Sequence, residues 1–164
     1  MSELRGLFIE DEVANINVYT KLFKLEGLQL EYIEKLPEKL DGFYDIVLER
    51  NVDFLIIDYH LDKQVSYKGI DVLREIRKHD STIYSVLLTN YQLEDFAEVF
   101  GDYDYELKKD TLVDRYKDVS EKIKRACDLR KENVIFHEME KQAEEESNTI
   151  KLLKEISAKL DSKE

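Results

Sequence analysis

Charged and polar side chains stand at the ends of several apolar segments, where a sheet would bring them together. Three carboxylates, one hydroxyl and one ammonium group occupy these positions: Glu10, Asp11, Asp58, Thr89 and Lys108. Clustered carboxylates repel one another, and Mg²⁺ is a natural counter-ion because it prefers oxygen ligands and retains several waters. With a cation bound, Asp58 can attack a phosphoryl group as a nucleophile, and Thr89 and Lys108 can stabilise the transferred oxygens. We therefore expect a phosphoryl-transfer site, although each acid taken singly also suits a helix cap.

Five short apolar segments alternate with longer segments of helical periodicity. The pattern predicts strands at residues 4–9, 28–33, 54–57, 83–88 and 103–107, and helices at residues 13–25, 37–50, 70–80, 93–100 and 112–127. Alternating strands and helices are typical of a parallel sheet with helices on both faces. We predict an α/β fold, a doubly wound five-stranded parallel sheet of the flavodoxin-like type. In that architecture the chemistry lies at the carboxyl ends of the strands.

Composition narrows the class of protein. The 164 residues suffice for one domain with an appendage, and 38% of them are charged. A formal net charge of −12 argues against nucleic acid or an anionic membrane as the partner. No apolar run approaches the roughly 20 residues of a membrane span, and the first residues lack a signal-peptide pattern. We therefore expect a cytoplasmic protein. The single cysteine, Cys127, excludes an intrachain disulfide.

The order and spacing of several motifs resemble the receiver domain of two-component response regulators. The matching motifs are Leu7-Phe8-Ile9-Glu10-Asp11-Glu12, Phe54-Leu55-Ile56-Ile57-Asp58, Leu87-Leu88-Thr89 and Tyr105-Glu106-Leu107-Lys108. Residues 69–77 are also similar to the third helix of that family, and the resemblance covers roughly residues 3–130. It implies a sheet with strand order 2-1-3-4-5.

The resemblance also implies roles for individual residues. Asp58 would be the phosphoacceptor, with Mg²⁺ held by Glu10, Asp11, Asp58 and the backbone carbonyl of His60. Thr89 and Lys108 would bind the phosphoryl group, and Tyr105 would be an aromatic switch residue packing toward Thr89. A histidine kinase or phosphotransfer protein would donate the phosphate, and the output partner is unknown. The chain would be no enzyme beyond its own phosphorylation and dephosphorylation.

Four positions depart from the pattern of the family. Glu10 stands where the family usually has an aspartate, and no proline follows Asp58 within the next few residues. Asn90 replaces a small residue after the threonine, and Lys109 replaces a proline, so two lysines compete for one role. The spacing from Tyr105 favours Lys108.

The departures motivate a second hypothesis, a receiver-like interaction module that works without phosphorylation. A third hypothesis, a Mg²⁺-dependent phosphohydrolase with a free substrate, is disfavoured by the sequence. Such an enzyme needs a general acid near its nucleophile, and the residue two positions after Asp58 is His60 rather than an acid.

Residues 131–164 do not continue the alternating pattern, so we divide the chain into a receiver domain, residues 1–130, and a helical extension, residues 131–164. Apolar residues of the extension follow a 3-and-4 spacing that Glu146 and Ser157 interrupt, as in an imperfect coiled-coil seam. One hypothesis is a parallel two-fold homodimer through this helix. The alternative is one helix, or two with a break at residues 147–149, folding back on the domain.

Overall fold

The computed structural model describes residues 3–90 and 103–161, and these contain five strands and four α-helices. In chain order the elements are β1 (Leu4–Ile9), α1 (Val13–Leu25), β2 (Leu28–Tyr32), α2 (Phe43–Glu49), β3 (Phe54–Asp58), α3 (Gly69–Arg77), β4 (Tyr84–Thr89), β5 (Tyr105–Lys108) and α4 (Leu112–Asp161). Single 3₁₀ turns at Leu40–Gly42 and Lys109–Thr111 precede α2 and α4. The helix predicted at residues 93–100 lies outside the described residues.

The five strands form one parallel sheet in the order β2-β1-β3-β4-β5, which confirms the predicted fold class. The central strand β3 is buried along its whole length. A strand covered on both faces reads as a continuous apolar run, and this is why residues 54–57 carry no polar side chain. The sheet ends on β5, which pairs Tyr105 with Val86 and Lys108 with Thr89.

Alternation along the strands divides the core into two clusters. On one face Leu55 and Ile57 of β3 pack with residues of α2 and α3. On the other face Phe54 and Ile56 pack with residues of α1 and α4. We call these the α2/α3 face and the α1/α4 face. Because successive side chains point to opposite faces, the position of each residue along its strand determines which helical layer it contacts.

The second helix starts later than the sequence predicts. Pro37 does not open it, because the backbone around this residue is engaged with the loop after β3. The amide of Leu36 donates to Gln64 Oε1 at 3.1 Å, and the hydroxyl of Tyr67 donates to the carbonyl of Pro37. The 3₁₀ turn Leu40–Gly42 then leads into α2.

The last helix is longer than the predicted fifth helix. α4 runs without interruption from Leu112 to Asp161, and the break suggested at residues 147–149 is absent from it. The hydroxyl of Thr149 donates a hydrogen bond to the carbonyl of Glu145 at 2.9 Å, so Thr149 stays within the helix rather than capping a new one. The chain divides into two compact units, residues 1–127 and 128–164. In the first unit, Val119, Ile123 and Cys127 of α4 are buried on the α1/α4 face.

Gly69 allows α3 to begin beside the end of β3. Its amide donates to the carbonyl of Tyr59 at 2.9 Å. A Cβ atom at this position would lie 2.0 Å from the carbonyl oxygen of Asp58 and 2.7 Å from Ile57 Cγ2. Backbone atoms cannot yield to such a contact as a flexible side chain can, so this close approach requires glycine.

We predict that Gly69→Ala destabilises the fold by about 1–3 kcal/mol, the usual cost of overpacking. Gly42→Ala is the matched control, because its Cβ would come no closer than 3.8 Å to a neighbouring side chain. Urea unfolding of the two variants and the parent chain measures the difference. Equal stability of the two variants would contradict the packing argument at the start of α3.

Candidate functional site

Four strands bring polar side chains to one rim of the sheet. Asp58 and Thr89 are the last residues of β3 and β4, and Glu10 and Lys109 directly follow β1 and β5. Glu10, Asp58 and Thr89 are exposed by only 1%, 2% and 1%. Buried charges and hydroxyls need partners, so the contacts among these groups define the site.

Lys109 joins the two most buried carboxylates. Its Nζ lies 2.7 Å from Asp58 Oδ2 and 2.8 Å from Glu10 Oε2, and its side chain is 12% exposed. Burial alone would lower the pKa of the Lys109 ammonium, but hydrogen bonds to Asp58 and Glu10 outweigh it, so the pKa lies above its ordinary value. Lys109 therefore stays charged and offsets negative charge of Glu10 and Asp58 at the rim.

Glu10 is anchored by its own chain. Its Oε1 accepts the backbone N–H groups of Asp11 and Glu12, each at 3.1 Å. Burial, reinforced by the charge of Asp58, raises the pKa of Glu10 to about 8 despite the nearby ammonium of Lys109. Since an unfolded glutamate ionises near pH 4.5, ionising Glu10 in the fold costs stability as the pH rises from there toward 8.

The neighbouring loops hold the remaining acids in place. The amide of Lys63 donates to Asp11 Oδ2 at 3.0 Å, and the ammonium of Lys63 pairs with Glu12. His60 borders Asp58, because the amide of His60 donates to Asp58 Oδ1 at 3.3 Å. The ring of His60 contacts that of Tyr59 edge to face.

The donor set fits a small divalent cation. Carboxylate oxygens of Glu10, Asp11 and Asp58 all lie within 4.8 Å of one another. Mg²⁺ prefers oxygen ligands of this kind and usually retains several waters. Asp11, the one partly exposed residue of the three acids, leaves a side of the site open to solvent.

The lysine of the site is Lys109, and the prediction of Lys108 is wrong by one residue. Lys108 has a side chain that is 53% exposed, and its ammonium lies 3.8 Å from Asp110. Because alternate residues of a strand point to opposite faces, a shift of one residue moves a side chain from one layer to the other.

Tyr105 lies on a different face of the sheet from the one that its predicted role requires. It packs on the α1/α4 face, where the cations of Arg115 and Lys122 lie 5.9 Å and 4.6 Å from its ring. Leu88 packs on the α1/α4 face, so by alternation the next residue, Thr89, points to the α2/α3 face. Tyr105 therefore does not pack toward Thr89. The residue three positions before the site lysine is Glu106, which accepts the hydroxyl of Tyr103.

The sequence analysis favoured Lys108 over Lys109, although a signal for Lys109 was present. Phe8, Ile56 and Leu107 are buried on the α1/α4 face, and the residues two positions further along are Glu10, Asp58 and Lys109. Counting by two from the buried residue of each strand would have selected the correct lysine. The backbone contact from Tyr19, whose hydroxyl lies 3.4 Å from the carbonyl of Lys109, was not readable from the sequence.

By sequence, no protein-family model and no curated protein matches this chain. By structure, 221 chains match it. Within residues 3–90 and 103–161, no helix combines the length and the apolar character needed to cross a membrane.

Many of the matching structures are receiver domains. A receiver domain protein from Clostridium thermocellum is 23% identical, with a TM-score of 0.62 over 78% of this chain and 97% of that one. The receiver domain of an HD domain-containing protein from Pseudomonas fluorescens Pf-5 is 15% identical, with a TM-score of 0.65 over 80% and 94%. The response regulator TrrA from Thermotoga maritima, in complex with Mg²⁺-BeF, is 21% identical, with a TM-score of 0.60 over 73% and 98%. The chain therefore has the CheY-like receiver fold, and the resemblance inferred from its motifs is confirmed at the level of the fold.

We predict that Lys109→Met lowers the free energy of unfolding, because two buried carboxylates lose their cation. The expected loss is about 3–5 kcal/mol, the usual cost of removing one partner from a buried ion pair. Lys108→Met is the matched control and should change stability little, since exposed ion pairs contribute roughly 0–1 kcal/mol. Urea unfolding without divalent cations measures both, and a larger effect of Lys108→Met would contradict the assignment.

Proposed function

We propose that the chain is a phosphorylation-controlled signalling receiver that accepts a phosphoryl group on Asp58. The observation that supports this most directly is the environment of that carboxylate. Asp58 is buried at the carboxyl end of β3, carries an ammonium at 2.7 Å, and shares the rim with two further acids. A carboxylate nucleophile needs a cation beside it to approach the negative phosphoryl group.

The proposed donor is a phosphohistidine on a histidine kinase or a phosphotransfer protein. An oxygen of Asp58 forms a bond to phosphorus while the bond from phosphorus to the donor nitrogen breaks, and the imidazole keeps the electron pair. Lys109 can turn its ammonium from the carboxylates to the new phosphoryl oxygens. Thr89, at the end of the adjacent strand, can donate a hydrogen bond to one of them.

Glu10, Asp11, Asp58 and the carbonyl of His60 are the proposed ligands of Mg²⁺. Bound there, Mg²⁺ would supply charge neutralisation to the transferred oxygens. The fold neighbour from Thermotoga maritima, solved with Mg²⁺-BeF, supports this choice of cation. The cluster of three acids supports it independently.

The proposal includes a conformational change on phosphorylation and an output partner that recognises it. Phosphorylation adds negative charge beside Thr89, and a rearrangement there would change the affinity of a neighbouring face for an output partner. Tyr105 takes no part in it, because it lies on the other face of the sheet. The cytoplasmic location and a homodimer through the C-terminal helix remain predictions.

The second candidate is a receiver-like module that works without phosphorylation. Lys109 already pairs with both Glu10 and Asp58, so the rim is largely neutralised without a bound cation. A module that only presents a surface would need no more than this.

We expect Mg²⁺ to stabilise the fold, because a ligand that binds only the native state adds RT ln(1 + [L]/Kd) to its stability. Titrating MgCl₂ into thermal unfolding experiments measures this, with a rise of about 2.7 kcal/mol expected at 100 times Kd. Asp11→Asn should lose most of the response and should itself unfold at higher temperature without the cation, since it removes repulsion. Asp62→Asn, an exposed acid in the nearby loop, should respond as the parent does. A full response in Asp11→Asn would remove Asp11 from the site.

Incubation with Mg²⁺ and a small phosphodonor such as acetyl phosphate should add a single phosphate to the chain, as read by intact mass. Asp58→Asn should acquire none, and Asp62→Asn should behave as the parent. Lys109→Met should lose the structural response to phosphorylation, whereas Lys108→Met should retain it. Failure of the parent chain to gain mass would favour the phosphorylation-independent module, and turnover of the donor without a retained phosphate would favour the phosphohydrolase.

A further inference from the structure

The helical unit of residues 128–161 exposes an apolar seam along its length. Its members follow a 3-and-4 spacing over about four and a half heptads: Leu129, Glu132, Phe136, Met139, Ala143, Glu146, Ile150, Leu153, Ser157 and Leu160. Six of them are large apolar side chains that are 55–64% exposed. Two glutamates and a serine interrupt the seam, and their positions determine which arrangement of two helices can cover it.

A parallel pair of helices places each seam residue opposite its own copy. Glu132 would then face Glu132 of the second copy, and Glu146 would face Glu146. Two like-charged contacts inside the seam would be destabilising, and nothing on either side would offset them. This pattern argues against the parallel dimer that the sequence analysis considered.

An antiparallel pair centred between residues 144 and 145 places no seam glutamate opposite its own copy: the two copies of Glu132 lie far apart, and the two copies of Glu146 lie in neighbouring layers, about 4.5 Å apart along the axis. Seam residues whose numbers add to 289 then face one another, whereas the residues flanking the seam pair with sums of 291 on one side and 287 on the other. The apolar pairs are Leu129 with Leu160, Phe136 with Leu153, and Met139 with Ile150. The polar residues meet small ones, as Glu146 faces Ala143 and Glu132 faces Ser157, so each carboxylate can reach past a small neighbour to water.

The residues that flank the seam agree with the same centre. On one side Ile135 meets Ile156 of the second copy, and these side chains are 57% and 54% exposed in the single chain. Gln142 meets Thr149 on that side as well. On the other side Asn133 meets Lys154, and no pair on either side joins like charges.

Other antiparallel alignments are worse. Sliding one helix by a heptad in one direction places Glu146 opposite Phe136, and sliding it in the other places Glu146 opposite Ile150. Only the alignment centred between residues 144 and 145 matches every large apolar seam residue with another. The pattern is also self-complementary under a two-fold axis, as an interface between identical chains must be.

We propose that a second copy of this chain covers the seam, in an antiparallel two-fold coiled coil centred between residues 144 and 145. This goes beyond the proposed phosphoryl acceptor and does not depend on it. The occupant is a second copy rather than an unrelated helix because the seam complements itself in sequence.

Light scattering on the full chain tests whether the dimer forms. Phe136→Ser lies on the seam and should weaken the dimer by about tenfold or more, equivalent to about 1.4 kcal/mol. Val134→Ser is the matched control, because Val134 is also exposed, at 52%, but lies off the seam. Circular dichroism checks that both variants keep their helices. A monomeric parent chain at high concentration, or an equal loss in the two variants, would overturn the proposal.

Spin labels on cysteines introduced at Asn148 and Glu155, one at a time, test the orientation. Both positions point away from the seam. At a rise of 1.5 Å per residue, the antiparallel alignment separates the two copies along the axis by about 10 Å at position 148 and about 30 Å at position 155. The distance must therefore be clearly longer at position 155, whereas a parallel dimer gives equal distances and would overturn the orientation. Cys127 is buried, and labelling the unmodified chain controls for it. The unphosphorylated protein is used, so a failure here is independent of any failure at Asp58.

Discussion

The pairing of Lys109 with two buried carboxylates is the interaction on which the rim of the sheet depends. An unpaired buried charge costs several kcal/mol, so Glu10 and Asp58 could not both stand at the ends of central strands without a cation. Lys109 reaches them at 2.8 Å and 2.7 Å because β5 closes the sheet beside β4 and delivers the lysine at its end. The hydroxyl of Tyr19, which lies 3.4 Å from the carbonyl of Lys109, ties that turn to α1. The site is thus a consequence of the whole sheet rather than of one loop.

The rules that form the core also aim the functional side chains. Phe8, Ile56 and Leu107 are buried on the α1/α4 face, and the residue two positions beyond each of them is a member of the ion-pair cluster. Residues two positions apart point toward the same face of the sheet, and the last residue of a strand or the one directly after it follows this alternation. Gly69 completes the arrangement, because only a residue without Cβ lets α3 start against the carbonyl of Asp58.

Strong periodic signals explain what the sequence could predict. The continuous apolar runs of the central strands and the spacing of the helices determine the sheet and its class, and the acids after residues 9 and 57 are predictable because both strands are long and buried. β5 has only four residues and one fully buried side chain, Leu107, so its register was open and the spacing from Tyr105 selected the wrong lysine. The later start of α2 depends on contacts from Gln64 and Tyr67, which are distant in sequence, and no local pattern around Pro37 reveals them.

The extra methylene of Glu10 changes how this rim would take a cation. The longer side chain lets one carboxylate oxygen accept the amides of Asp11 and Glu12 while the other reaches Lys109. Both oxygens are therefore engaged within the chain itself, whereas Asp11 is only partly buried and accepts the amide of Lys63 with one oxygen. A cation entering from that side meets Asp11 first and must compete with the ammonium of Lys109 for Glu10 and Asp58. The same competition is what phosphorylation would resolve, since a phosphoryl group on Asp58 gives Lys109 a new anionic partner and releases Glu10 for the cation. Under the proposed function, metal affinity and phosphorylation would then be coupled through one lysine, as a direct result of placing a single cation between two buried acids.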